Sequence, residues 1–249
     1  MPARADLVKE LIPTGKLRVA IAIAPAPSAF YAVKDSTTGR FRGVTVDLGA
    51  ALARKLGVPV EFLPHLASGE IQNSAASGKW DVTFMPVDEE RKKFVDFGNA
   101  YHLLQSTYLV APGSKLMKVE DANAPGIRIG GVANTATFRA AQRTAPEAIF
   151  VTVTGIDAAI AAMNAGEIDC IALSRESLSG LVTKIPGSRI LEGGFLNSST
   201  AVAVPKDKPD ALTYVSAFIE EAKANGLARK ALDAMNLQNS QVAPVGMKP

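Results

Sequence analysis

The feature that most restricts the fold of this chain is an alternation of two apolar patterns along its length. Leu17–Ala24 is a short, largely apolar run of β-branched residues and alanine, the signature of a strand buried on both faces, and Val58–Leu63, Trp80–Met85, Ile127–Val132, Ala148–Val153, Ile168–Leu173 and Ser199–Val204 are further predicted strands. Between them lie stretches of helical period. Val46, Ala50, Ala53 and Leu56 share one helix face, and Gly57 follows where a left-handed residue ends a helix. Asp6–Leu11, Ser68–Ser77, Asn134–Arg143, Ile156–Ala165, Pro209–Asn225 and Leu227–Met235 are further predicted helices. Asp88 is expected to cap another, with Glu89 and Glu90 in its first turn, and Ser174 one that runs to about Ile185. Phe30–Phe41 is expected to form a hairpin or loop turning at Asp35–Gly39, and the tail from Gln238 to be loose.

Such alternation predicts an α/β fold with sheets covered by helices on both faces. It comes in two series, which predicts two lobes. Ligands in these folds sit beyond the carboxyl ends of strands, at helix N-termini. That directs attention to the loops Ala24–Phe30, which Pro25 and Pro27 stiffen, Phe84–Arg91, Gly131–Thr137 and Leu173–Ser177.

Composition narrows the function. Hydrophobic residues at 47% and charged residues at 20% are ordinary for a soluble globular protein with a proper core. The net charge of +3 is mild and the Lys and Arg residues are scattered, so no nucleic-acid partner is expected. No apolar run reaches the roughly 18–20 residues of a membrane span. Met1–Ala5 carries no signal-peptide core, which fits a cytosolic chain or a secreted one already trimmed. The single cysteine, Cys170, cannot form an internal disulfide and lies in an apolar strand, so it reads as a buried residue rather than a reactive thiol. His65 and His102 have no carboxylate or cysteine at ligand spacing, so no metal site is expected. No phosphate loop, dinucleotide fingerprint or nucleophile elbow appears, so neither a cofactor nor a catalytic residue is assigned.

Several segments, in order, resemble the amino-acid-type (family 3) extracellular solute-binding proteins of bacterial ABC importers. Gly15–Ala20 resembles their opening strand, Gly39–Leu48 their segment before the first long helix, and Leu56–Phe62 the next helix-to-strand step. Ser77–Val82 resembles their "S-G-K-x-D" strand entry, and Asp88–Phe97 with Tyr101 their "T-x-E-R-x-K-x-V-D-F-x-x-x-Y" block. The resemblance spans Gly15 to Leu237. It implies a periplasmic binding protein-like type II fold: residues 1–104 in lobe one, 105–198 in lobe two, and 199–249 returning to lobe one. Residues Ser106–Ala111 and Thr200–Val204 would be hinge strands whose bending closes the lobes on a ligand.

The same resemblance implies a site. Arg91 matches the family arginine that grips a ligand carboxylate, chemistry suited to a rigid fork of donors; the competing reading is a solvated helix residue paired with Asp88, Glu89 or Glu90. Asn134 and Thr135 match the family's "G-T" at a second-lobe helix, where backbone N–H groups favour an anion; either residue also suits plain capping. Thr83, Phe84, Met85 and Pro86 occupy the ligand-lining stretch after a strand and suggest a dry pocket wall, while alternation sends one of Phe84 and Met85 to the core. Phe30, with Tyr31, stands where the family places an aromatic lid, and core filling is the alternative.

Ser174 departs from the pattern, because amino-acid-binding members carry a carboxylate there to pair with the α-ammonium. A hydroxyl cannot neutralise an ammonium, and an unpaired buried charge is costly. Either Glu176 or Glu70 supplies the negative charge, or the ligand lacks an α-ammonium. Arg175 can grip a second anionic group, or sit in an exposed first turn.

The function this implies is a monomeric periplasmic binding component that delivers a small carboxylate-bearing ligand, an amino acid or related organic acid, to the membrane permease of an ABC importer. The alternatives are a cyclohexadienyl dehydratase-like enzyme on the same scaffold, which requires a general acid where Ser174 stands, and the sensing domain of a receptor.

Overall fold

The computed structural model describes residues 4–23 and 29–249 of the chain. In chain order the elements are α1 (Arg4–Leu11), β1 (Leu17–Ala22), β2 (Val33–Lys34), β3 (Phe41–Arg42), α2 (Val44–Leu56), β4 (Val60–His65), α3 (Ser68–Asn73), β5 (Val82–Pro86) and β6 (Val95–Val110). Then come β7 (Arg128–Val132), α4 (Ala136–Thr144), β8 (Ile149–Val153), α5 (Ile156–Asn164), β9 (Cys170–Ser174), α6 (Arg175–Ser179) and β10 (Arg189–Ile190). The chain finishes with β11 (Leu196–Pro205), α7 (Pro209–Ala224), α8 (Leu227–Ala234) and β12 (Gln241–Val242). Two compact units result: Met1–Leu103 with Ser198–Pro249, and Leu104–Asn197. The chain passes between them along β6 and β11.

In the first unit β1 pairs in parallel with β4, Leu17 opposite Val60, and with β5, Val19 opposite Val82. β11 runs antiparallel to β5, Ala201 opposite Met85. One face of this sheet packs Leu11, Leu48, Leu52, Phe84, Val215 and Ile219 from α1, α2, β5 and α7. The other face buries Ile71, Trp80, Met85 and Val95. Trp80 satisfies its indole N–H by donating to Ser74 Oγ at 3.1 Å. Because both faces are covered, β5 is buried at every position and β1 at most of them, without the alternation of a one-sided strand.

In the second unit β7 pairs in parallel with β8 and β9, and β9 pairs antiparallel with β6, Thr107 opposite Leu173. Its core joins Tyr108, Ile129, Ala141, Cys170, Ala172 and Leu191. Cys170 is fully buried there, and desolvation pushes its thiol pKa well up, which keeps it an unreactive thiol.

The structure departs from the sequence expectations at four places. The helix predicted after Asp88 is only a short 3-10 turn at Arg91–Lys93, because β6 begins at Val95 and leaves no room for more. Asp88 still accepts the Glu90 N–H at 3.1 Å. The helix after Ser174 stops at Ser179, where Gly180 follows and lowers helix propensity. β6 runs unbroken from Val95, much longer than the hinge strand expected at Ser106–Ala111. The tail is ordered: β12 pairs with β6 at His102 and Leu103, Ala243 N–H donates to Tyr101 O and Ala100 N–H to Met247 O, each at 3.1 Å. An open strand edge offers backbone donors and acceptors, and the tail satisfies them. The predicted end of the first strand at Ala24, and the loop residues Pro25 and Pro27, lie outside the described residues.

Candidate functional site

The carboxyl end of β5 carries the first group of candidates. Thr83 donates its hydroxyl to Ala20 O at 2.9 Å, tying β5 to β1. Phe84 enters one core cluster, edge-on to Tyr101 with ring centroids 5.9 Å apart, and Met85 enters the opposite cluster. On a strand covered on both faces, the alternating side chains Thr83, Phe84 and Met85 are all buried. What β5 presents at its end is the backbone carbonyl of Pro86.

That carbonyl accepts Arg91 Nη1–H at 3.0 Å, and Arg91 Nη2–H donates to Ser68 Oγ at 2.7 Å. Arg91 is only 1% exposed, which overturns the alternative of a solvated helix residue. Its position follows from the local chain: Pro86 ends β5, the turn at Asp88–Glu90 reverses direction, and the 3-10 turn brings Arg91 back under the strand end. Ser68 opens α3 nearby. Glu70, considered as a charge for the ligand, instead accepts the Leu66 N–H at 2.8 Å and closes the turn into α3.

Phe30 is enclosed by aromatic rings. It is 1% exposed and packs with Tyr31, Tyr101 and His102, with ring centroids at 4.9, 6.3 and 4.4 Å. That enclosure matches the core-filling alternative.

In the second unit, β7 ends at Val132 and the chain turns through Asn134 at a φ of 60°, a left-handed conformation that asparagine tolerates. Thr135 then caps α4: its Oγ1 accepts the Phe138 N–H at 3.2 Å and donates to Val132 O at 2.9 Å. Capping by Asn134 or by Thr135 was open in the sequence, and the structure assigns it to Thr135. Gly131 makes this approach possible, since a Cβ there would lie 2.0 Å from the Phe138 ring.

At the end of β9, Ser174 faces Ser106 in the strand register. Ser174 Oγ accepts the Ser177 N–H at 3.3 Å and donates to Ser177 Oγ at 2.9 Å, so it caps the short α6. Ser106 and Thr137 share a buried hydroxyl contact of 3.1 Å. The carboxyl ends of β7 and β9 thus gather hydroxyls, which can exchange hydrogen bonds with a polar ligand without imposing a charge. Arg175 does not join them as an anion grip. Its Nε donates to Gln105 Oε1 at 2.7 Å and its Nη2 to the carbonyls of Leu191 and Gly193 at 3.0 and 2.7 Å. Gln105 in turn donates to Asn197 Oδ1 at 3.1 Å.

The structure thus brings Arg91 together with Pro86 and Ser68, and Thr135 and Ser174 each with a helix start. Thr83, Phe84, Met85 and Phe30 are buried, and Arg175 is bonded to Gln105 and two carbonyls. Ser68, Ser106, Thr137 and Gln105 escaped the sequence reading. Serine, threonine and glutamine at these positions carry no distinctive spacing, and their partners lie up to 70 residues away in the chain. Among the described residues no cluster of three or more His, Cys, Asp and Glu side chains could hold a metal ion. None of the described helices is long and apolar enough to cross a membrane.

Parallel strands covered by helices, with the chain passing twice between two α/β units, are the architecture of the type II periplasmic binding proteins. The chain belongs to the bacterial extracellular solute-binding proteins, family 3, whose pattern it matches over residues 17–234. It is 23% identical over 207 residues to the ABC transporter glutamine-binding protein GlnH of Bacillus subtilis (strain 168), covering 79% of this chain and 73% of that protein. It is 26% identical over 188 residues to a glutamine-binding protein of Geobacillus stearothermophilus, covering 71% of this chain and 69% of the relative. Among solved structures it matches the ancestral amino acid-binding protein AncCDT-1, described as a precursor of cyclohexadienyl dehydratase. That match has a TM-score of 0.79 and 26% identity, over 92% of this chain and 98% of the other.

Proposed function

We propose that this protein is the binding component of an ABC importer and captures a small carboxylate-bearing ligand, an amino acid or related organic acid, without transforming it. The observation that carries this reading is the buried guanidinium of Arg91, which donates to Pro86 O and Ser68 Oγ at the end of a parallel strand. A cation in such a setting attracts a carboxylate more strongly than one in bulk water, because solvent screening is weaker. Within the second unit, the capped start of α4 at Thr135 and the hydroxyls of Ser106, Thr137 and Ser174 offer neutral polar groups suited to a polar ligand. The names of the curated relatives support an amino acid as the ligand class and an importer permease as the partner. The periplasm is the matching compartment, and the working form is a monomer.

The test is a thermal-shift screen against the standard amino acids, keto acids and short dicarboxylic acids, followed by calorimetry on Arg91→Ala. A ligand that binds only the folded state raises the melting temperature. Arg91→Ala is expected to lower affinity for the best compound at least about 100-fold, the scale of a lost charge-assisted contact. Unchanged affinity with a lowered melting temperature would make Arg91 a structural tie between α3 and β5 and sink the site assignment.

One observation favours a second reading, dehydratase chemistry: the match to AncCDT-1. Eliminating water and carbon dioxide from prephenate needs a positioned general acid. The end of β9 offers Ser174, whose hydroxyl is engaged in capping. Incubation with prephenate and an absorbance assay for phenylpyruvate separates the two; turnover would replace the binding-only reading.

A further inference from the structure

A guanidinium recognises a carboxylate well only when its plane is already set, because a freely rotating fork loses entropy on binding. In Arg91 two points of that plane are tied to two different elements. Nη1 is tied to the carbonyl of Pro86 at the end of β5, and Nη2 to the hydroxyl of Ser68 at the start of α3. Two such ties fix both the tilt and the rotation of a rigid group. The carbonyl belongs to the backbone and is indifferent to side-chain identity. The hydroxyl is the part of the frame that a side chain supplies.

Ser68 is not accounted for by helix capping. The N-cap of α3 is Ala67, which makes no side-chain cap bond, and the N–H of Leu66 just before it is satisfied by Glu70. A serine there would commonly serve its own helix end. Here its hydroxyl is turned to the arginine instead. A hydroxyl that accepts from a guanidinium also keeps one proton to donate, so it can add a contact of its own to an anion at the same place.

We propose that Ser68 is a positioning residue of the binding site: it orients the Arg91 guanidinium and so sets affinity for carboxylate-bearing ligands. This rests on the reading of Arg91 as the carboxylate grip.

The experiment uses the full chain with Ser68→Ala, Ser68→Thr and Arg91→Ala. Each is melted alone and titrated by calorimetry with the compound, from the twenty standard amino acids and a panel of short carboxylic acids, that most raises the wild-type melting temperature. Ser68→Ala is expected to weaken binding on the order of tenfold, the scale of a hydrogen bond to a charged group, with ligand-free melting unchanged. Ser68→Thr keeps the hydroxyl at a half-buried position and is expected to restore affinity to within about threefold of wild type. Wild-type affinity in Ser68→Ala, alongside lost binding in Arg91→Ala, overturns the role of Ser68 and leaves the carboxylate grip standing. Equal loss in Ser68→Ala and Ser68→Thr with lowered ligand-free melting makes Ser68 merely structural and also overturns it. Unimpaired binding in Arg91→Ala, or no compound that shifts the wild type, overturns the underlying reading and this inference with it.

Discussion

Arg18 holds Asp81 by backbone and side chain at once. Its N–H and Nε–H both donate to Asp81 Oδ2, at 2.9 and 3.0 Å, and its Nη2 donates to Oδ1 at 2.6 Å. The remaining arm, Nη1, reaches the carbonyl of Gly78 at 2.7 Å. Arg128 repeats the arrangement in the second unit. It donates to Asp169 at 2.7, 3.0 and 2.7 Å and to Gly166 O at 2.5 Å. In both units a left-handed glycine stands three residues before the aspartate that opens the next parallel strand. The same clasp therefore fixes the same strand pair twice, at the end of each sheet away from the candidate ligand residues.

Breaking the first clasp should cost more than breaking the second. The Asp81 side chain is 2% exposed, whereas that of Asp169 is 31% exposed. Asp81→Ala leaves a part-buried guanidinium and a strand N–H without their acceptor, a loss of about 1–3 kcal/mol. Asp169→Ala leaves the same groups in contact with water and should cost clearly less. Urea unfolding of both variants checks the order; an equal or reversed ranking would contradict it.

The second clasp should also shape the acid limb of stability. The hydrogen bond from Arg128 holds the Asp169 carboxyl below the usual carboxylate range. A depressed pKa in the folded state stabilises it at pH values above the unfolded pKa of about 3.9, and that contribution disappears as pH falls through the folded value. The stability gap between wild type and Asp169→Asn should then be full at neutral pH and close as pH falls through the depressed folded-state value. A gap that stays constant from neutral to acid would show that the ionised carboxylate is not its source.

Gly131→Ala should be damaging, because the new Cβ would meet the Phe138 ring at 2.0 Å. Phe138 is buried in the first turns of α4, so the ring can yield only by moving the helix start that Thr135 caps. Overpacking of this kind costs about 1–3 kcal/mol. Gly180→Ala is the contrasting control. Its φ is −74° and its nearest neighbour is 3.6 Å away, so about 0.4–1 kcal/mol of stabilisation is expected. Denaturant titration of the pair decides; a neutral Gly131→Ala would mean that α4 does not need the close approach.

Removing residues 239–249 should loosen β6. The amide of Ala100 would lose its acceptor, Met247 O, and β6 its partner strand at His102 and Leu103. Hydrogen exchange at Ala100 should accelerate in the shortened chain, together with a lower melting temperature. Unchanged protection at Ala100 would show that the tail adds nothing to the strand.

The two series of strands and helices were legible because each obeys a local rule. Val46, Ala50, Ala53 and Leu56 lie on one helix face, and Gly57 ends α2 at a φ of 71° as its position predicts. The family segments were equally legible as an ordered set, and residues 17–234 match the family pattern. The site was less so. Thr83, Phe84 and Met85 could be placed on a strand from sequence, but whether that strand has one covered face or two depends on α3 and α2 arriving from elsewhere. The strand after Arg91 was missed because Val95–Leu104 mixes apolar and polar residues, and its pairing with the tail joins residues far apart in the chain.

Local periodicity, caps and breakers thus determined which segments become strands and helices, because those choices depend on neighbours a few residues away. Only the tertiary structure decided the partners of side chains that can serve several roles. Arg175 spends its donors on Gln105 and two carbonyls, while Arg91 meets Ser68 and Pro86. The two arginines are chemically identical. Their difference lies in which acceptors the folded backbone brings within hydrogen-bond reach, and sequence spacing does not encode that distance.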